Sequence, residues 1–237
     1  HPVCLRGTGI SADYPGAVCS NLSEKLPGRP LAIFALGACG NINPPEVGMA
    51  YETMTQMAER MTLRLSEDIV IKLNSIDTGS GKLKLSSKVI PLQSSIRSPG
   101  AIVSYANRYR SDGQALEEFG PVFLKAIKKW EIDMKAQFNR LGAALPIEIF
   151  CLTIGDVHLA GVSAEAFSSL MKNLSAEGNA TTMAITCANG ANGYLPDRHS
   201  YDEGGYETNT SCFFYNQLPP APGSLEKVAA ELGKILP

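Results

Sequence analysis

The sequence predicts a mixed α/β fold, a single domain with a mixed sheet flanked by helices, and three observations point there. A chain of 237 residues with 44% hydrophobic side chains can bury a sizeable core. From Ile147, IEIFCLTIGDVHLAGV reads as two alternating strands around Gly155-Asp156, a pair suited to a tight hairpin turn. Phe123, Ile127, Trp130, Met134, Phe138 and Leu141 recur every three or four residues, the signature of one buried helix face.

The remaining elements follow in chain order. Ala12 to Leu26 opens on a Tyr-Pro-Gly turn and places Ala17, Val18, Leu22 and Leu26 at helical spacing. LAIFAL, Leu31 to Leu36, is a compact apolar run that predicts a strand buried on both faces, followed by the loop GACGNINPP. Met54, Met57, Met61, Leu65 and Ile69 predict a core-facing helix from about Met49 to Leu73, where the methionines serve packing. KLKLS at Lys82 to Ser86 alternates, and VIPL continues it as an edge strand able to accommodate Pro91. Helices are expected over Pro99 to Arg110 and Pro121 to Leu141. After the hairpin come a helix from Glu165 to Leu174 with Ser163 as its cap, a strand MAITCA, a long polar loop, and a closing helix from Ser224 to Leu236. No internal repeat or linker divides the chain, so residues 1–237 read as one domain.

Composition excludes several functions. A net charge of -2 offers no footprint for nucleic acid, and the basic run Lys125 to Lys129 is diluted by Ala126 and Ile127. The longest apolar stretch, Leu31 to Cys39, falls well short of the about 20 residues that span a bilayer. Six cysteines lie scattered, without the Cys-x-x-Cys or Cys/His spacing of a structural zinc site. Their even count suits disulfides and their scatter suits buried thiols, so the redox compartment stays open. GACGNIN lacks the Lys-Ser/Thr of a phosphate loop, and GVSAE lacks the last glycine of a Gly-x-Ser-x-Gly nucleophile elbow. Oligomeric state is not legible.

The polar loop is the strongest functional signal. Between Gly190 and Cys212 it holds Tyr194, Tyr201 and Tyr206, with Arg198 and His199, and almost no aliphatic residue after Leu195. Core packing does not explain such a segment, and long irregular loops in compact domains usually carry function. His158 reads as a satisfied histidine in its strand.

Tyr201 and Tyr206 follow Tyr194 by seven and twelve residues, and this spacing resembles the tyrosine pattern of the neutral, non-lysosomal ceramidases, as does the phrase EGGYE. AGVSAEAF is similar to the family's Val/Leu-Pro-Gly-Glu-x-Phe segment, with Ala164 in place of the glycine before Glu165. HPVCL followed by ISADYPG is similar to its histidine-proline segment. The resemblance implies a zinc-dependent hydrolase of a carbon-nitrogen amide bond, using a metal-activated water, with ceramide or another N-acyl lipid as substrate. It implies His1, Glu165 and Tyr194 as metal ligands, and Tyr206 as a second active-site tyrosine that stabilises the oxyanion. It places Gly40, Asn41, Arg198 and Tyr201 about the substrate. It also implies a secreted, periplasmic or cell-surface location, and a domain incomplete at its N-terminus, because the family's upstream His-x-His segment is absent from this sequence. Where the family's Gly-Asp-x-Ser-Pro loop carries a catalytically important serine, this chain has Asn43, and Asn41 replaces the aspartate. Asparagine lacks a hydroxyl but can donate a hydrogen bond, so Asn43 is expected to orient the carbonyl. That change motivates the alternative of a catalytically inactive binding or cell-surface module.

Overall fold

The computed structural model describes residues 1–5, 9–44, 50–73, 81–175 and 182–237. The chain comprises two compact units, one of His1–Leu36 and Ile42–Gly81, the other of Gly37–Asn41 and Lys82–Pro237.

In the first unit, α1 (Asp13–Lys25) packs on α2 (Tyr51–Leu73). Asp13 ties the start of α1 to the preceding chain by accepting from the Leu5 amide at 2.9 Å. Met54, Ala58 and Thr62 form the buried stripe of α2, while Leu65 is exposed. Met49 and the Ile69 side chain lie outside the described residues. The strand expected at 31–36 does not form, and Leu31 is 86% and Ile33 83% exposed. Hydrophobicity alone does not make a strand; its backbone also needs a neighbour to complete a ladder.

The second unit holds a four-stranded mixed sheet. Its strands are β1 (Leu83–Gln93), β2 (Ala144–Ile154), β3 (Val157–Val162) and β5 (Thr182–Ile185), in the order β1-β2-β3-β5. β1 and β3 both run antiparallel to β2, and β5 runs parallel to β3. The hairpin turns at Gly155-Asp156, where Gly155 has φ 59°, a left-handed conformation that glycine adopts without steric cost. β1 is an edge strand as expected, and Pro91 stands opposite Pro146, two residues without amide donors facing each other. His158 in β3 meets Thr153 Oγ1 across the hairpin at 3.2 Å.

Helices α3 (Pro99–Arg110) and α5 (Pro121–Leu141) pack together, with the short α4 (Gly113–Phe119) between them in sequence. Ser98 caps α3 by accepting from the Ala101 amide at 3.1 Å, and Pro99 follows at the first helical position. On α5, Phe123, Ile127, Trp130 and Met134 are buried, whereas Leu141 at the helix end is exposed.

The segment after the hairpin departs from expectation. Glu165 does not start a helix: Glu165–Ala166 form β4, and α6 begins later, at Ser169–Ser175. Ser163 caps nothing; its Oγ accepts from the Glu148 amide at 2.9 Å and from Asn192 Nδ2 at 3.1 Å. The polar loop is also more regular than expected. It contains β6 (Tyr194–Leu195), α7 (Ser200–Glu203), a π-helical turn (Tyr206–Thr210) and α8 (Ser211–Tyr215). Tyr194, Leu195, Cys212 and Phe213 lie in the hydrophobic core, so core packing does explain part of this segment. α9 (Ser224–Gly233) closes the chain, packing on β1, β2 and α6. The mixed α/β class is therefore the observed one. Cys19, Cys151, Cys187 and Cys212 are thiols, and no helix among the described residues is long and apolar enough to cross a membrane.

Candidate active site

Two very short strands position the centre of the site. β4 and β6 pair in parallel, with Glu165 in register with Tyr194 and Ala166 with Leu195. The Glu165 amide donates to Gly193 O at 2.8 Å and the Phe167 amide to Leu195 O at 3.1 Å. From the other side, the Gly40 amide donates to Ala166 O at 2.9 Å, and Asn41 Oδ1 accepts from the Ser168 amide at 2.8 Å. Glu165 to Ser168 is thus held between the loop at 37–41 and the tyrosine segment.

Glu165 is only 6% exposed, so its carboxylate needs partners to be tolerated. Tyr215 Oη donates to Glu165 Oε1, and Tyr194 hydrogen-bonds the same carboxylate. The Tyr194 ring meets Tyr206 at 5.8 Å and 77°, and Tyr215 at 5.7 Å and 83°, both edge-to-face. Burial, followed by the charge and hydrogen bond of Glu165, pushes the Tyr194 phenol well above the usual tyrosine range. Tyr206 is pushed up to about 12, by burial first and then by the charges of Glu165 and Glu207. It is a proton donor at neutral pH.

A cavity of about 290 Å³ is lined by Tyr194, Tyr215, Leu92, Leu145, Ile147 and Leu195 and by the polar Gln137, Arg140, Asn192, Asn216 and Gln217. Tyr206 borders another, of about 390 Å³, beside Phe119, Glu118 and Gly205.

The remaining expected site residues are placed differently. Arg198 is exposed; its amide donates to Glu226 Oε1 at 2.9 Å, and its guanidinium lies against Gly223. Tyr201 Oη donates to Pro220 O at 3.0 Å. Both therefore bind the segment leading into α9, while Gly40, Asn41, Glu165, Tyr194 and Tyr206 are gathered on β4 and its flanks. His1 and Asn43 belong to the first unit, where Asn43 is exposed. His1 Nδ1 lies 3.0 Å from Ile42 O. Facing a carbonyl, Nδ1 must carry the proton, which puts the ring's acceptor lone pair on Nε2.

Sequence reasoning missed Tyr215, Cys39 and Cys187. Cys39 is buried, with Sγ within 4.8 Å of a Glu165 carboxylate oxygen. Hydrogen bonding to Cys39, then burial and the Glu165 charge, raises the Cys187 thiol above its ordinary range. The only available signal was the place of Cys39 in the glycine-bounded GACGN loop.

Gly40 admits a direct test. A Cβ there would lie 2.7 Å from Glu165 O and 3.0 Å from Ala166 C, backbone atoms that no rotamer change can move. Gly40→Ala is expected to destabilise the chain by about 1–3 kcal/mol, the usual range for overpacking. Thermal unfolding measures it, and an unchanged midpoint would refute the close approach.

The fold resembles two solved structures. One is neutral ceramidase from Pseudomonas aeruginosa, with TM-score 0.57 and 15% identity over 97% of this chain and 41% of that one. The other is a ceramidase complexed with C2, with TM-score 0.59 and 14% identity over 97% of this chain and 42% of that one. The chain thus spans about two fifths of the length of each. No protein-family model and no curated protein sequence matches it.

Proposed function

We propose that the chain is the catalytic domain of a zinc-dependent hydrolase of carbon-nitrogen amide bonds, acting on an N-acyl lipid such as ceramide. The observation that carries this reading is the buried Glu165 carboxylate, paired in register with Tyr194 and bonded by Tyr215, with the Tyr194 ring packed edge to face on Tyr206 and Tyr215. The ceramidase-like fold supports it.

The donor set fits zinc. Zinc takes carboxylate and imidazole ligands, and a nearby dication favours the ionised form of a phenol such as Tyr194. Glu165 and Tyr194 would hold the metal, and His1 joins them on the sequence resemblance, with its lone pair on Nε2. Carbonyl-bonded Nδ1 is the usual arrangement of a ligating histidine. A bound zinc supplies a Lewis acid for a carbonyl oxygen and lowers the pKa of coordinated water to about 7.

The chain's own residues do the rest. Tyr215 holds the Glu165 carboxylate in one orientation. Tyr206, protonated at neutral pH, donates to the oxygen that gains charge as the amide carbonyl becomes tetrahedral. Asn43, by resemblance, offers an amide donor to the same carbonyl and no nucleophile. Leu92, Leu145 and Ile147 would offer apolar contact to an acyl group, beside the polar Arg140 and Gln137 of the same cavity. Gly40 and Asn41 shape the approach beside Ser168, while Arg198 and Tyr201 brace the tyrosine segment and reach substrate only at its rim. A secreted, periplasmic or cell-surface location accords with this reading.

The test is the zinc-loaded chain with short-chain N-acyl sphingoid and simple amide substrates, alongside metal analysis. Stoichiometric zinc and amine release are expected. Zinc without turnover on any amide would favour the second reading, an inactive binding module, which the exposed Asn43 in the serine's place supports. Neither zinc nor turnover would remove the hydrolase reading altogether.

A further inference from the structure

We propose that the Cys39 thiolate is a ligand of the divalent cation bound at Glu165. This rests on the metal-site reading above and changes the donor set, adding a soft sulfur to the oxygen donors.

Two pieces of geometry carry it. Cys39 Sγ lies within 4.8 Å of a Glu165 carboxylate oxygen. Ligand bonds of about 2.3 Å to sulfur and about 2.0–2.2 Å to oxygen, at a tetrahedral angle, bring such atoms to roughly 3.5 Å, so a small side-chain rotation closes the gap. The loop bearing Cys39 is pinned against β4: Gly40 touches the backbone of Glu165 and donates to Ala166 O, and Gly37 O accepts from Thr186 Oγ1 at 2.6 Å. Thr186 Oγ1 also contacts Cys39 Sγ at 3.6 Å.

A buried cysteine is most often an inert small hydrophobe. Cys39 differs because it faces an acid rather than aliphatic carbon. A carboxylate and a thiol that face each other in a buried site become favourable neighbours when a cation lies between them. As the sulfur–metal bond forms, the Cys39 proton passes to solvent. Such a set prefers zinc, cobalt or cadmium to magnesium or calcium, which favour oxygen ligands.

Cobalt(II) is the probe. The full chain loaded with cobalt is expected to show a near-ultraviolet sulfur-to-cobalt charge-transfer band, lost in Cys39→Ser and kept in Cys187→Ser. Zinc should also protect Cys39 in the unsubstituted chain from alkylation, read by peptide mass spectrometry, which tests ligation even if Cys39→Ser misfolds. Visible cobalt absorption without the charge-transfer band, or a band that survives Cys39→Ser, overturns the sulfur ligand and leaves the hydrolase reading standing. A chain that takes up no cobalt at all overturns both.

Discussion

Replacing Glu165 by Gln is expected to abolish stoichiometric metal binding and with it amide hydrolysis. Substitutions of residues that merely orient a ligand cost about 10–100-fold in metal affinity, so removing the charged ligand itself should exceed about 100-fold. Tyr215→Phe supplies the inner comparison: it deletes the hydroxyl that donates to Glu165 Oε1 and leaves the carboxylate, so a loss of about 10–100-fold is expected. Thermal unfolding separates this from general damage. Without metal, Glu165→Gln should be as stable as the parent or more so, because it removes a charge that is only 6% exposed. With zinc at 100 times its dissociation constant, the parent should gain about 2.7 kcal/mol and the variant nothing. Equal zinc stabilisation of parent and variant would sink the assignment of Glu165 as a ligand.

Why Glu165 stood out in the sequence while its surroundings did not is a matter of length. The boundaries of α3 and α5 were legible because Pro99 and Pro121 mark first helical positions and α5 repeats its apolar stripe over five turns. The hairpin was legible from its alternation about Gly155-Asp156. By contrast, β4 and β6 have two residues each, too few for any period, and their pairing joins positions twenty-nine residues apart. Read locally, Ser163 followed by Glu165 resembles a capped helix start; the ladder to Gly193 and Leu195 overrides that preference. The tyrosine spacing drew attention to Tyr194 and Tyr206, which the fold brings edge to face, but it reached neither Tyr215, beyond the spaced set, nor Cys39, whose approach to within 4.8 Å of Glu165 is wholly tertiary. At 31–36 the hydrophobic run was real and the inferred ladder was not, since composition cannot supply a neighbouring strand.

Trp130→Ala is expected to give the largest loss of stability of any single substitution in the second unit. Trp130 is fully buried on α5, with its ring 4.9 Å from Phe213 at 74° and 5.7 Å from Tyr105. Its Nε1–H donates to Gln217 O at 2.6 Å. Truncating a buried aromatic to alanine costs about 3–5 kcal/mol, and at this chain size that lowers the melting temperature by roughly 6–20 °C. Trp130→Phe keeps most of the ring contact but strands the Gln217 carbonyl, for a cost of about 1–3 kcal/mol. The damage should extend to the site, because α8 points Phe213 into this aromatic cluster and ends on Tyr215, the donor to Glu165. Asn216, left-handed at φ 52°, ends that helix and donates to Asp133 Oδ2 on α5 at 2.7 Å, so α5 fixes Tyr215 through both Trp130 and Asp133. Metal affinity in Trp130→Ala, measured well below its melting temperature, should therefore fall in the same direction as in Tyr215→Phe, and by less. A stability change below about 1 kcal/mol would mean that the cluster neither anchors α8 nor positions Tyr215.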